Sequence, residues 1–180
     1  IAAGALEDPT PDRAIAIHIA ADRLKTGQLC IKSGTCMASS DGFRIRLHGK
    51  GGHGASPQNS ISPIFAAVKL IEAFTDIARY EIDPQQPSVV NICAIHSGTT
   101  YNIIPNDCEI MGTIRMFDEP RREALLQRLQ DAMHQVAALY RCTAEWYIGQ
   151  SAPSTKSDEA FSRQLRDTLA RDLPELDVLP

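Results

Sequence analysis

Hydrophobic and polar residues alternate over residues 41–48, with Phe43, Ile45 and Leu47 on one side and Arg44, Arg46 and His48 on the other. That period of two predicts a strand with one buried face. A glycine-rich bend follows at residues 49–54, and Ser62 then offers an N-cap with Pro63 at the first helical position. Beyond it, Ile64, Ala67, Val68, Ile71, Phe74 and Ala78 are predicted to share the buried face of a helix. Pro84 and Pro87 close that helix and lead into a Val- and Ile-rich strand over residues 88–96. Residues 98–106 carry the Gly, Asn and Pro of a turn region. A third strand is predicted over 108–117. Asp118-Glu119-Pro120 then opens a second helix whose apolar face is Leu125, Leu126, Leu129, Met133, Val136 and Tyr140. A last strand, 142–148, sets Ala144, Trp146 and Ile148 against Thr143, Glu145 and Tyr147.

The order is β-α-β-β-α-β over residues 41–149. The expected fold class is α+β, a ferredoxin-like unit with a four-stranded antiparallel sheet and both helices on one face. That architecture serves many functions and decides none of them. The flanks lie outside it. Residues 14–20 read as a short apolar strand carrying His18, after the turn Asp8-Pro9-Thr10-Pro11. Residues 28–32 read as a second strand. Residues 158–173 read as a helix with Phe161, Leu165, Leu169 and Leu173 at four-residue spacing. Their apolar faces need partners that the small unit has no room to supply. The expected division is a partial segment at 1–40, a complete domain at 41–150 and a partial return at 151–180. The chain opens Ile1-Ala2-Ala3-Gly4 without Met, and is expected to be an excised piece of a longer protein.

Composition removes several function classes. Of 180 residues, 43% are hydrophobic and 22% charged, which suits a soluble globular protein and not a disordered one. A formal charge of -4 argues against nucleic-acid binding, which needs a surplus of Lys and Arg. No apolar run approaches the ~20 residues of a membrane span, and no signal peptide stands at the start; a cytoplasmic location is expected. Five cysteines without CxxC spacing exclude zinc-ribbon and redox motifs and are expected to be small buried hydrophobes.

Four residues are candidates for chemistry. His18 is either a core imidazole satisfied by backbone or a metal ligand, although no Asp, Glu, Cys or second His lies near it in sequence. His53, with glycine on both sides, is either a plain loop histidine or a donor to a developing oxyanion at a place where the backbone can approach a ligand. Asn102 is either a turn former before Pro105 or a substrate contact. Arg115 is either a solvated sheet residue or a two-pronged partner for a carboxylate. Arg44 with Arg46, and Arg121 with Arg122, are expected to be solvated. Nucleophile-elbow, phosphate-loop and dinucleotide motifs are absent.

The segments Gly49-Lys50-Gly51-Gly52-His53-Gly54-Ala55-Ser56-Pro57, Gly98-Thr99-Thr100-Tyr101-Asn102-Ile103-Ile104-Pro105 and Gly112-Thr113-Ile114-Arg115 together resemble the M20 family of metal-dependent amidohydrolases and carboxypeptidases. The likeness extends over nearly the whole chain and is nearest the branch acting on hippurate, N-acyl amino acids and auxin conjugates. Ser62 and Ser157 depart from that branch, which carries Asp and Asn there. The resemblance implies a lid domain that makes a homodimer, with His53 contacting the scissile carbonyl in the partner subunit. It implies that Asn102 and Arg115 bind substrate, and that His18 ligates one of two divalent ions (Zn, Mn, Co or Ni) in the intact enzyme. The substrate would be an N-acyl amino acid or a similar small amide, attacked by a water that the metals activate. The Glu-Glu pair and the other metal ligands of such enzymes are missing. This chain is therefore expected to bind no metal stably and to be inactive by itself. The alternative is a free-standing ferredoxin-like binding or dimerisation module.

Overall fold

The computed structural model describes residue 4 and residues 6–180. The opening Ile1-Ala2-Ala3 and Ala5 lie outside them. The elements in chain order are β1 (Gln28–Cys30), β2 (Gly34–Met37), β3 (Ser40–His48), β4 (Gly52–His53), α1 (Pro63–Asp76), β5 (Ser88–Ser97), β6 (Ile103–Ile104), β7 (Asp107–Met116), α2 (Glu119–Leu139), β8 (Thr143–Ala152), β9 (Thr155–Ser157), α3 (Glu159–Asp172) and β10 (Asp177–Leu179). They fall into two compact units, Ser33–Glu159 and Ile1–Lys32 with Ala160–Pro180.

In the larger unit β3, β5, β7 and β8 form one antiparallel sheet in the order β5-β7-β3-β8. This is the ferredoxin-like arrangement expected from the alternation. Phe43, Ile45 and Leu47 of β3 and Cys108, Ile110, Ile114 and Met116 of β7 are buried on the face that carries the helices. Val90, Ile92, Ala144, Trp146 and Ile148 complete that face from the two edge strands. Phe43 stacks on Trp146 at 5.2 Å between ring centroids and meets Phe74 of α1 edge-on at 6.1 Å. Each such aromatic pair adds about 0.5–1.5 kcal/mol beyond the area it buries.

The helices form where capping chemistry permits. Asp118 caps α2 by accepting the Arg121 N–H at 3.0 Å. Ser62 precedes α1 with Pro63 at its start, without a side-chain capping bond. Helix α2 ends at Leu139, and two residues on Arg141 turns left-handed with φ of 60°. Its N–H reaches the Ala138 carbonyl and that of Cys142 the Ala137 carbonyl, satisfying two terminal acceptors.

Three expectations are corrected. The buried stripe of α1 is Pro63, Ala66, Ala67, Leu70 and Phe74, whereas Ile64 and Val68 are exposed. The helix is apolar round most of its circumference, so periodicity could not select the stripe; packing puts the small Ala66 and Ala67 on the core side. Only Cys108 and Cys142 are buried, and burial pushes both thiols up, while Cys30 and Cys93 are exposed. Residues 14–20, expected as a strand, form none. Ile17 and Ile19 are 82% and 83% exposed. A strand persists only where a neighbour takes its N–H and C=O groups, and no described residue pairs with this one.

In the smaller unit β1 and β10 pair in parallel, Gln28 opposite Asp177 and Cys30 opposite Leu179. Arg166 of α3 donates to the Ile31 carbonyl at 2.6 Å, and Arg13 lies over the Phe161 ring at 4.5 Å.

Candidate functional site

The glycine-rich bend and the Asn102 turn, about fifty residues apart in sequence, meet as a two-stranded ribbon. Strand β4 pairs with β6, Gly52 opposite Ile104 and His53 opposite Ile103. The Gly54 N–H donates to the Asn102 carbonyl at 2.8 Å, the Gly51 N–H to Asn106 Oδ1 at 2.8 Å and the Gly49 N–H to the Asn106 carbonyl at 2.7 Å. Lys50 and Ile61 exchange backbone bonds of 2.8 and 2.9 Å on the other side. The bend therefore threads between two other stretches of backbone, and its glycines are required by that closeness. A Cβ on Gly49 would stand 2.2 Å from the Ile61 carbonyl oxygen, and one on Gly51 2.8 Å from that of Ile104. At Gly49 and Gly51 the glycines answer to close approach by the chain itself.

His53 is exposed at the end of this scaffold. Its Nδ1 accepts the Ala55 N–H at 3.1 Å, so in the neutral ring the proton sits on Nε2, which is left as a donor. Asn102 is also exposed, and its Oδ1 takes the Thr100 hydroxyl at 3.1 Å, leaving the amide Nδ2 as its donor end. Two neutral donors thus share one ribbon, a combination suited to a carbonyl or carboxylate oxygen.

Arg115 lies elsewhere. It sits near the end of β7, whereas the ribbon adjoins its start at Asp107. Eight residues of strand at ~3.4 Å each separate Asp107 from Arg115, roughly 27 Å. Behind Arg115 lies a buried ion pair whose members stand at apolar-phase positions of β3 and α2. Asp41, fully buried, receives Arg122 Nε on Oδ2 at 2.7 Å and Nη2 on Oδ1 at 2.6 Å. Ser151 Oγ adds a bond to Oδ1 at 2.8 Å and Ser39 Oγ one to Oδ2 at 3.3 Å. Arg122 also contacts Glu119, whose other oxygen accepts the Ser154 N–H at 3.2 Å. Burial pushes the Asp41 carboxyl up, but Arg122, Ser151 and Ser39 outweigh it and hold it below the ordinary carboxylate range. Arg122, expected to be solvated, is instead a buried partner. The signal was phase: Asp41 falls in step with Phe43, Ile45 and Leu47, and Arg122 with Leu125 and Leu129. Arg44 and Arg46 do face solvent, both beside Glu109.

His18 is exposed, its Nδ1 2.6 Å from the Ile19 carbonyl. Among the described residues no group of three or more His, Cys, Asp or Glu side chains could hold a metal ion. One imidazole does not fill a coordination shell, so these residues do not fit a metal centre by themselves.

Residues 38–141 match the M20 peptidase dimerisation domain. The chain is 40% identical over 134 residues to thermostable carboxypeptidase 2 of Saccharolobus solfataricus, covering 74% of this chain and 34% of that protein. It is 35% identical over 148 residues to the N-acetylcysteine deacetylase of Bacillus subtilis, covering 82% and 39%. The Bacillus subtilis YXEP protein, a dinuclear metal-binding peptidase of the M20 family, superposes with a TM-score of 0.66 at 29% identity, covering 87% of this chain and 38% of that one. The aminobenzoyl-glutamate utilization protein of Klebsiella pneumoniae shares the fold, with a TM-score of 0.72 at 20% identity over 88% and 40%. The chain spans between a third and two fifths of the length of these relatives. The match over residues 38–141 and the shared fold show that this chain belongs to the M20 peptidase family and carries its dimerisation domain.

Proposed function

We propose that this chain is the lid-bearing segment of a metal-dependent amidohydrolase that cleaves the amide bond of N-acyl amino acids or similar small amides. Residues 41–150 are the lid and dimerisation domain, and 1–40 with 151–180 are parts of the catalytic domain. The single observation that carries the reading is the ribbon joining His53 to Asn102, which leaves His53 Nε2 and Asn102 Nδ2 as neutral donors on an exposed, closely packed scaffold. His53 polarises the scissile carbonyl in the partner's active site and Asn102 holds the same end of that substrate, whereas Arg115, at the far end of β7, meets the carboxylate of the substrate in the other site. In the whole protein His18 would be one ligand of a pair of divalent ions (Zn, Mn, Co or Ni), whose chemistry would be activation of water. The segment alone is inactive, and the whole enzyme works as a cytoplasmic homodimer. The described helices include none long and apolar enough to cross a membrane.

The test is subunit complementation in the whole enzyme. His53→Ala is expected to lower kcat on an N-acetyl amino acid by about 10²–10³, the usual loss for one oxyanion donor, and to change stability by less than about 0.5 kcal/mol. His18→Ala is expected to abolish turnover. Co-assembled His53→Ala and His18→Ala subunits should regain activity, because one site in each mixed dimer has both groups. No recovery in verified mixed dimers rules out action across the interface.

A further inference from the structure

The larger unit buries Asp41, Arg122 and Ser39 in a polar network, joined at its edge by Ser151 and Glu119, that the proposed chemistry does not use. Buried ion pairs of this kind contribute little net stability, and well-packed apolar residues of similar volume often replace them without loss. Asp41 stands where the β3 pattern calls for an apolar residue, and Arg122 where the α2 pattern calls for one. Their placement therefore points to geometry rather than to cohesion. The bonds form a continuous line. Arg122 holds Asp41 through two parallel bonds, Asp41 Oδ2 accepts Ser39 Oγ, and Ser39 Oγ in turn accepts the Met116 N–H at 3.0 Å. The Ser39 N–H donates to the Met116 carbonyl at 2.7 Å, and the Ser39 carbonyl receives Arg115 Nη1 at 3.4 Å. Ser39 is fully buried, so its backbone has no freedom to follow Arg115. A two-pronged arginine–carboxylate pair fixes direction as well as distance, and that direction is passed through one residue to the guanidinium of Arg115.

We infer that the Asp41–Arg122 pair, acting through Ser39, is a positioning device for Arg115 and so sets how tightly the enzyme grips a substrate carboxylate. The inference rests on the reading of Arg115 given above. Arg115 is the binding group, and Asp41, Arg122 and Ser39 touch no substrate. The two carboxylate oxygens of Asp41 are committed to Arg122, Ser39 and Ser151, so this carboxylate is not a base in reserve. Removing its charge turns a fixed contact into a loose one, and Ser39 with Arg115 loosens with it.

The experiment uses the whole enzyme with two substrates, an N-acyl amino acid and its C-terminal amide, which lacks the carboxylate. Arg115→Ala serves as the reference and is expected to raise KM for the acid at least tenfold, and by far more than for the amide. Asp41→Asn, close in shape but uncharged, is expected to raise KM for the acid three- to tenfold, with kcat unchanged for both substrates and KM unchanged for the amide. Arg122→Lys keeps the charge without the fork, and gives the same split if Asp41→Asn does not fold. Equal changes for acid and amide, or a lowered melting temperature with both KM values unmoved, overturn the positioning role and leave Arg115 as the carboxylate contact. A reference variant that fails to separate the two substrates overturns the reading of Arg115 and the inference together.

Discussion

One end of the four-stranded sheet carries the β4–β6 ribbon, where backbone bonds and glycines hold the chain and the polar side chains His53 and Asn102 stand exposed. At the other end Asp41 and Arg122 are buried among Ser39, Ser151 and Glu119, and the side chains do the holding. The contrast separates two ways of presenting a functional group. On the ribbon the scaffold is main chain, so a presented side chain can change without disturbing its support. At the Asp41 end the support is itself charged, and altering one member leaves an ion stranded in a dry place. The first end is tolerant of substitution at the presented side chains His53 and Asn102 and intolerant at Gly49 and Gly51; the second is intolerant at the side chains of its ion pair.

The largest expected effect tests the stranded ion. Arg122→Met should cost about 3–5 kcal/mol, read by urea unfolding, because Asp41 is left buried and unpaired. Asp41→Leu combined with Arg122→Met removes both charges and should cost distinctly less. Equal losses in the single and double variants would erase the difference between the two ends. Next in size is Gly49→Ala, whose Cβ meets backbone rather than a movable side chain. About 1–3 kcal/mol is expected, in the range of overpacking, with faster amide exchange at Lys50 and Ile61. Unchanged exchange there would mean that the ribbon yields instead of packing. The smallest effect is confined to acid. Asp41 is held below its unfolded value, so it contributes stability above the unfolded carboxylate pKa of about 3.9 and loses it as pH falls through the lower folded value. The native unfolding curve should therefore fall more steeply below about pH 4 than that of the double variant. Superimposable acid limbs would remove Asp41 from the account.

The sheet and its helices were legible because alternation over residues 41–48 and 142–148 reports a local choice, inward or outward. The same rule contained the buried pair, since Asp41 and Arg122 keep the phase of their apolar neighbours. What hid Arg122 was its company: beside Arg121 it resembles an ordinary solvated run, and burial is a property of its partner across the fold. The stripe of α1 was not legible, as a helix apolar on most sides lets packing choose. Residues 14–20 show the opposite limit, for they carry a strand's pattern and no strand, because a strand depends on what lies beside it. His53 and Asn102 were visible as unusual residues in unusual loops. Their adjacency was not, since it depends on a pairing between segments about fifty residues apart.

Strands β2 and β9 pair antiparallel, with Gly34 opposite Ser157 and Thr35 opposite Lys156. The larger unit is thus entered and left at adjoining positions, roughly 5 Å apart across the ladder. For a domain that receives such a unit, the insertion amounts to a short splice whatever the length of chain between the ends. Loop-closure entropy is met inside the inserted unit by its own core and is not imposed on the recipient. A module with joined ends can therefore be acquired, lost or exchanged between proteins as a single event, with its interior already folded around its own contacts.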